Sequence, residues 1–309
     1  SALGPVFANE GVEKVFHAAE YDIMCLKRDF GFEFARLFDT MVTARILGRQ
    51  GVGLGALLEE EFNVHLNKRY QRANWGKRPL PAEMLSYARL DTHYLIALRE
   101  RLASKLEKSG LEPLAHEDFE RLATLEPHNS HNSPEEDTWR VSGSQDLHPQ
   151  EAAVLLELCR YRDRVARQID RPLFKVIGDK TLLAIAQTCP RSLNELKLIQ
   201  GMSARQVGRH GRQLLEAVER GLRARPLHRP RQKRPDDGVL ERVEALRNWR
   251  KKTARGMGVP SDVVLPRDLM YEIAYSDPAY KTDLQALLKD VPYRYKTFGE
   301  QILMTISKH

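Results

Sequence analysis

Tyr87 and Asp91 are the two side chains whose types and spacing best suit chemistry. They stand four residues apart in a segment, 81–106, that we predict to be helical. A phenol and a carboxylate then share one helix face a single turn apart. Such a pair can help to hold a metal ion and to orient a water molecule. The same spacing also arises by chance, so its meaning depends on residues elsewhere in the chain.

A second carboxylate, Asp22, follows a predicted strand at 12–18 and lies in the first turn of a predicted helix at 20–30. Functional groups gather at the carboxyl ends of strands in α/β sheets. Two carboxylates from separate elements are what a pair of Mg²⁺ or Mn²⁺ ions requires. Such a pair activates a water and stabilises the leaving oxygen of a phosphodiester. The alternative for Asp22 is an acid favoured only by the helix dipole.

Composition excludes several classes of protein. Of the 309 residues, 42% are apolar and 29% are charged, as in soluble globular proteins. No apolar run approaches the roughly 20 residues of a membrane span, so we expect no membrane partner and a cytoplasmic location. The glycine-rich segment 51–55 lacks the Lys and Ser/Thr of a phosphate-binding loop, so we expect no nucleotide cofactor.

Positive charge is concentrated in one part of the chain. The net charge is +7, and residues 151–250 carry 22 basic and 12 acidic side chains. Arginine binds phosphate through a bidentate fork and releases counterions from nucleic acid. This segment therefore predicts a nucleic-acid partner, and the alternative is a solvated helical surface.

An internal repeat occupies the second half of the chain. At an offset of 88 residues Arg162 matches Arg250, Pro172 matches Pro260, and similar identities continue to the carboxyl end. We interpret 150–225 and 238–309 as two copies of one small helical domain, here called copy one and copy two. A polar, proline-containing linker is predicted at 126–149 and a basic linker at 226–237.

Four motifs follow one another in the first hundred residues. They are His-Ala-Ala-Glu-Tyr-Asp at 17–22, Leu-Phe-Asp-Thr at 37–40, Trp-Gly-Lys-Arg-Pro-Leu at 75–80 and Tyr-Ala-Arg-Leu-Asp at 87–91. In order and spacing they resemble the motifs of ribonuclease D and its eukaryotic exosome-associated relatives. These enzymes are DnaQ-like 3′–5′ exonucleases with a ribonuclease H-like fold, in the subclass whose third motif is Tyr-x-x-x-Asp. The repeats are similar to the helicase-and-ribonuclease-D C-terminal (HRDC) domain.

The resemblance implies a fold and an activity. The fold would be an incomplete α/β exonuclease domain of the ribonuclease H type at 1–125, followed by two all-α helical bundles. Asp22 and Asp91 would bind Mg²⁺ or Mn²⁺, and Tyr87 would position the attacking water. The substrate would be RNA with a single-stranded 3′ end, such as a stable RNA or a transfer RNA precursor, cut to nucleoside 5′-monophosphates by a monomeric protein.

The chain departs from the family at the first motif. An Asp-x-Glu is expected upstream of His17, and residues 1–16 contain none; the letters Asp-Phe-Glu at 118–120 come after the third motif. We therefore expect an N-terminally truncated chain that is inactive as given. Two alternatives stay open, a non-catalytic nucleic-acid-binding protein and a DNA-directed exonuclease.

Several further residues are candidates for supporting roles. Asp39 is predicted to cap the helix that begins at Thr40 and to support the site. Trp75 and Arg78 are predicted either to touch substrate or to pack against the Tyr87 helix. His17 and His93 are either ligands or hydrogen-bonded structural residues. In copy one, the residues predicted to lie at the nucleic-acid surface are Arg164, Arg167 and Lys175.

Overall fold

The computed structural model describes residues 2–66, 68–127, 134–230 and 234–307, which form two compact units. Unit 1 draws on 1–128 and 234–309, and unit 2 draws on 129–233. Within the described ranges, no helix is both long enough and apolar enough to cross a membrane.

The first part of unit 1 is a small parallel sheet surrounded by helices. Its described elements are α1 (Gly4–Ala8), β1 (Lys14–Phe16), α2 (Glu20–Phe30), β2 (Leu37–Asp39), α3 (Thr40–Ile46), α4 (Leu54–Phe62), a 3₁₀ turn (Lys68–Tyr70), α5 (Ala82–His93), α6 (Leu95–Ser109) and α7 (Glu112–Ala123).

The sheet fixes which residues can meet. In the described part of the chain β1 pairs in parallel with β2, with Val15 opposite Phe38 and Phe16 opposite Asp39. Parallel neighbours need a crossover, and α2 provides it. The carboxyl ends of both strands consequently lie at one edge, where α2 and α3 begin. A strand is predicted at 12–18, and in the structure this strand, β1, is only three residues long.

The helix predicted over 81–106 is broken at Tyr94. This residue has φ −93° and ψ −3° and separates α5 from α6. The break leaves the α5 segment that carries Tyr87 and Asp91 intact. Further along, α6 buries Leu98 and Leu102 in the core of unit 1.

Copy one forms most of unit 2 and has its own apolar core. Its helices are α9 (Pro149–Gln168), α10 (Leu173–Val176), α11 (Asp179–Thr188), α12 (Leu193–Lys197) and α13 (Ala204–Arg223), preceded by α8 (Pro134–Arg140) and a 3₁₀ turn (Ser144–Asp146).

Copy two repeats the same order of helices within unit 1. They are α14 (Asp237–Met257), α15 (Ser261–Val264), α16 (Arg267–Ser276), α17 (Lys281–Leu287) and α18 (Pro292–Ile306). One apolar cluster runs through both the sheet region and copy two, joining Phe38 and Leu98 to Val264 and Phe298.

A buried ion pair fastens copy two to α7. The Arg294 side chain has no exposed surface, and it donates from Nη1 to Glu117 Oε2 at 2.9 Å and from Nη2 to Asp118 Oδ1 at 2.8 Å. The backbone N–H groups of Tyr293 and Arg294 also donate to Glu117. Burial raises the pKa of Glu117, and Arg294 opposes that rise. Asp118, part of the misplaced Asp-Phe-Glu triplet, thus has a structural partner.

The predicted domain bounds stay a prediction, and contacts group the segments as follows. The segments 1–125 and 238–309 share one apolar core and lie in one compact unit. Within the predicted linker 126–149, Val141 and Leu147 are buried against copy one. Of the two predicted linkers, residues 128–133 and 231–233 lie outside the described residues.

Candidate nuclease site

A cavity of about 990 Å³ in unit 1 is bordered by residues from four separate segments. Asp22 reaches it from α2, and Tyr87 and Asp91 reach it from α5. Trp75 borders it from the loop before α5. The structure therefore brings together the three predicted catalytic residues and one of the predicted supporting residues.

The Asp91 carboxylate acts on the Tyr87 phenol across one helical turn. Burial raises the pKa of Tyr87, and the neighbouring Asp91 carboxylate raises it further. Burial also raises the pKa of Asp91. The phenol is consequently protonated at neutral pH and can donate a hydrogen bond, while a cation beside Asp91 would stabilise the carboxylate form.

Aromatic rings hold Tyr87 in place. The Trp75 ring lies 5.9 Å from the Tyr87 ring, and the Tyr70 ring lies 6.1 Å from it on an edge-to-face contact. Trp75 Nε1 donates to the Tyr70 carbonyl at 3.2 Å. Such aromatic pairs stabilise by about 0.5–1.5 kcal/mol beyond the area they bury. Trp75 thus packs against the α5 helix and also borders the cavity.

Arg78 forms hydrogen bonds within its own loop and does not border the cavity. Its Nη1 donates to the Trp75 carbonyl at 2.8 Å and to the Lys77 carbonyl at 2.9 Å. It is not among the residues that border the cavity. Arg78 therefore stabilises the loop that presents Trp75.

Asp39 is a buried acceptor for four backbone N–H groups. Its Oδ1 accepts from Ala18 at 3.2 Å, from Met41 at 2.8 Å and from Val42 at 3.0 Å, and its Oδ2 accepts from Ala19 at 2.6 Å. Only 1% of Asp39 is exposed. The bonds to Met41 and Val42 are those of the predicted helix cap.

The other two bonds of Asp39, from Ala18 and Ala19 in the turn before α2, link it to the site. Ala18 adopts φ +60°, a left-handed conformation that is costly for alanine. The Asp39 carboxylate stabilises this turn, and Asp22 follows it in the first turn of α2. Asp39 thereby fixes where Asp22 meets the cavity.

The donor set suits a divalent metal in kind but is small. Hard cations prefer carboxylate oxygens, and Asp22 and Asp91 both offer them to the cavity. Across the described ranges, no group of three or more His, Cys, Asp or Glu side chains is gathered as a metal site. Ca²⁺ and Mg²⁺ take roughly six ligands, so these two carboxylates would supply a minority of them.

Two family models match the chain. A model described as a 3′–5′ exonuclease matches residues 1–107, which include the whole cavity wall. A model of the HRDC domain matches 151–218 and 239–306, at the offset of 88 residues that defines copies one and two. The predicted duplication is confirmed.

A bacterial relative decides the family. Ribonuclease D of Desulfotalea psychrophila is 30% identical over 254 residues, which cover 80% of this chain and 67% of that protein. The chain belongs to the ribonuclease D family. The predicted resemblance and the fold class are thus confirmed, whereas no comparison tests the roles assigned to single residues.

Two further matches extend over nearly the whole chain. The exosome complex exonuclease RRP6 of Saccharomyces cerevisiae is 28% identical over 351 aligned positions, covering 99% of this chain and 47% of the yeast protein. The crystal structure of Escherichia coli RNase D, 23% identical, covers 99% of this chain and 82% of that one with a TM-score of 0.68, which shows a shared fold. The chain spans less than half the length of several curated relatives that it matches.

In this ribonuclease D family member, the three predicted nucleic-acid residues lie on the surface of copy one. Arg164, Arg167 and Lys175 are all exposed. Arg167 Nε pairs with Asp163 Oδ2 at 2.9 Å, and the Lys175 ammonium lies 5.4 Å from the Phe174 ring centre. Phe174 itself is 68% exposed. Exposed cations beside an exposed ring are suited to phosphates and bases.

Sequence reasoning missed several residues of the cavity wall. Glu59 and His65, with 3.5 Å between Oε1 and Nδ1, border the cavity, as does Gln71. Glu59 lies within α4, and His65 and Gln71 lie between α4 and α5. His93 does not border the cavity, but His17 does.

Proposed function

We propose that this chain provides the metal-binding and water-positioning part of a 3′–5′ exoribonuclease that processes RNA 3′ ends. The observation that carries the proposal is the cavity bordered jointly by Asp22, Tyr87 and Asp91. Carboxylates from two helices and a phenol one turn from one of them are the groups that metal-dependent phosphodiester hydrolysis needs.

Each residue has a chemical role in the proposal. Asp22 and Asp91 hold Mg²⁺ or Mn²⁺ through carboxylate oxygens. When bound, such ions activate the attacking water and stabilise the leaving oxygen of the phosphodiester. The protonated Tyr87 hydroxyl donates a hydrogen bond that orients the water, and the rings of Trp75 and Tyr70 keep the phenol fixed.

The cavity and copy one suit different parts of an RNA substrate. The cavity combines polar groups with apolar walls from Leu54, Leu66 and Leu95, and its volume lies in the range of small-ligand sites. It would take the terminal nucleotide of a single-stranded 3′ end. The exposed cations Arg164, Arg167 and Lys175 would neutralise phosphates further along the strand.

The proposal also specifies the products, the substrates and the state of the protein. The products are nucleoside 5′-monophosphates, and the substrates are stable RNAs or transfer RNA precursors. The protein acts as a monomer in the cytoplasm and uses no nucleotide cofactor. These expectations follow from the family resemblance and from the absence of a phosphate-binding loop at 51–55.

The first experiment measures metal binding at the two carboxylates. Mn²⁺ is titrated into the chain and followed by electron paramagnetic resonance. D22N and D91N should each weaken binding, because each removes one carboxylate from the cavity. D29N is the matched control, since Asp29 also lies on α2 but pairs with Arg28 outside the cavity. Equal binding by the wild type, D22N and D91N would contradict the proposal.

The second experiment tests turnover. The cavity brings together two predicted metal-binding carboxylates, Asp22 and Asp91, and the described residues gather no group of three or more metal-ligating side chains. We therefore expect weak metal binding and little or no activity from this chain by itself. Single-stranded RNA with a labelled 5′ end is incubated with millimolar Mg²⁺ or Mn²⁺, and shortening from the 3′ end is followed on a gel. Any shortening should disappear in D91N and Y87F. Rapid trimming would show that two carboxylates suffice and would contradict the expected inactivity.

A further inference from the structure

His17 borders the nuclease cavity and is held there by one neighbour. It follows β1 directly, and its Nδ1 lies 2.9 Å from the Thr40 hydroxyl oxygen. That hydroxyl lies 3.0 Å from the Phe16 carbonyl oxygen, and Thr40 is fully buried. His17, Thr40 and Phe16 therefore form a short hydrogen-bonded chain at the edge of the sheet.

This chain fixes the tautomer of His17. The Phe16 carbonyl can only accept, so the single hydroxyl proton of Thr40 is donated to it. The Thr40 oxygen must then accept from His17, which places the imidazole proton on Nδ1. Burial lowers the pKa of His17, although the nearby Asp39 opposes that shift, so the ring is neutral at pH 7.

The other ring nitrogen, Nε2, consequently carries a lone pair. No described residue makes a hydrogen bond to it, and His17 borders the same cavity as Asp22 and Asp91. In a hydrogen bond this lone pair can only accept, so an ionised phosphate oxygen, which also only accepts, is unsuitable as its partner. An RNA nucleotide offers base amines and ribose hydroxyls as donors. An exonuclease that removes every nucleotide must read a group that all of them share, which is the ribose.

We propose that His17 Nε2 accepts a hydrogen bond from the 2′-hydroxyl of the nucleotide in the cavity and so selects RNA over DNA. This assignment rests on the proposed nuclease function of the cavity. The 2′-hydroxyl is the group by which a protein distinguishes RNA from DNA at a given site. The buried Thr40 hydroxyl acts through His17 as a positioning group, because it determines which nitrogen is free to accept.

The tautomer can be measured without RNA. Long-range ¹H–¹⁵N spectra of the whole chain at pH 7.5 should show one histidine with its proton on Nδ1 that disappears in H17N. H116N serves as the matched control, because His116 is exposed on α7 and outside the cavity. In T40V the same resonance should lose its fixed tautomer. A proton on Nε2 of His17 in the wild type would overturn the inference.

Selectivity is measured with two single-stranded oligonucleotides that differ only in a terminal ribose or 2′-deoxyribose. Both carry a phosphorothioate at the last linkage to slow hydrolysis, and binding is followed by fluorescence anisotropy in Mn²⁺. The wild type should prefer the ribose end by about 5- to 10-fold, as expected for one neutral hydrogen bond. H17N keeps a donor for Thr40 but loses Nε2, so this preference should vanish while the affinity for the deoxy end is unchanged.

The remaining outcomes separate the inference from the proposed function. H17Q, which places an amide near the Nε2 position, should restore part of the preference, and H116N should keep all of it. An unchanged preference in H17N overturns the inference. Weaker Mn²⁺ binding in H17N, with equal loss for both oligonucleotides, also overturns it and makes His17 a metal ligand. A wild type that binds neither oligonucleotide refutes the nuclease proposal itself, and the inference falls with it whatever the tautomer.

Discussion

Copies one and two have the same fold but use it differently. Their second and third helices lie 88 residues apart without a shift, and both third helices end at a residue with φ +45°, Cys189 and Asp277. An arginine in each first helix donates to an equivalent carbonyl, Arg162 to Ile177 and Arg250 to Leu265. The backbone and its internal bonds are thus duplicated closely.

The two copies differ at one surface, which is formed by residues of the second, third and last helix of each copy. In copy two this surface contacts the nuclease region through Arg294 with Glu117, Asp262 with Arg45, and Asp268 with Arg121. The equivalent positions in copy one are Gln206, Phe174 and Lys180, with Phe174 and Lys180 exposed. One copy has become part of the core of unit 1, and the other keeps a basic surface with an exposed ring. Duplication has therefore given copy two a structural role, while a nucleic-acid-binding role for copy one stays a proposal.

The largest expected effect comes from giving copy two the residue of copy one at the buried ion pair. R294Q leaves the Glu117 carboxylate buried without its cation, which should lower the free energy of unfolding by about 3–5 kcal/mol. Urea unfolding of the whole chain measures this loss. R294Q/E117Q removes both charges and should recover part of it. A loss below about 1 kcal/mol would mean that the Arg294 ion pair contributes little to holding copy two in unit 1.

Reversing charge in copy one should weaken RNA binding by about tenfold or more. R164E/R167E/K175E removes three cations, and neutralising three phosphate contacts on a single strand accounts for about 2 in the slope of log K against log salt. Anisotropy with single-stranded RNA at several salt concentrations measures both quantities. K252E/R255E changes the equivalent positions of Arg164 and Arg167 in copy two and should leave the slope unchanged. Equal effects in both copies would remove the proposed division of roles.

The pH dependence of stability should differ between the copies by a smaller amount. His210 in copy one is buried and bonded to the Tyr161 hydroxyl at 2.8 Å, whereas copy two has Phe298 at this position. Burial lowers the pKa of His210, and Arg209 lowers it further. The unfolded chain then binds a proton more readily, so this stabilisation is present above about pH 6.5, the usual pKa of histidine, and is lost as the pH falls below it.

Hydrogen exchange of α13 and α18, corrected for intrinsic rates, tests this difference. Between pH 7 and pH 5 the protection of α13 should fall more than that of α18. Y161W/H210F, which gives copy one the aromatic pair of copy two, should remove the excess. Parallel loss in both helices would assign the acid sensitivity to other groups.

The smallest effect is expected at the exposed ion pair between Arg45 and Asp262. Partly exposed pairs contribute about 0–1 kcal/mol, so D262N should lower the free energy of unfolding by no more than that. Urea unfolding of D262N and R294Q under the same conditions compares the two losses of unfolding free energy directly. A loss as large as that of R294Q would move the main attachment of copy two from α7 to α3.

The sequence predicted features that depend on local spacing. A spacing of four residues suffices to place Tyr87 and Asp91 on one helix face, and a constant offset suffices to define the copies. It did not predict features that depend on distant contacts. Arg294 meets Glu117 across 177 residues, and no local pattern marks either residue as the other's partner. The roles of Asp22, Tyr87 and Asp91 stay predictions, although the structure places all three at one cavity.

The second role of Asp39 also depends on distant contacts. Asp39 before Thr40 reads as a helix cap, and the cap is present. The other two bonds go to amides about twenty residues earlier, which only the pairing of β1 with β2 brings near. The sequence around Asp39 therefore indicates its bonds to the adjacent helix, but not its bonds to the distant turn before α2.

The four bonds of Asp39 have a consequence for how the site tolerates change. All four partners are backbone amides, so the side chains at Met41 and Val42 can be replaced without removing a donor. Asp39 has no such freedom, because an asparagine would keep the three bonds of one oxygen and lose the bond from Ala19. The geometry of the Asp22 turn therefore depends on the single side chain of Asp39, while the side chains of Met41 and Val42 are open to redesign.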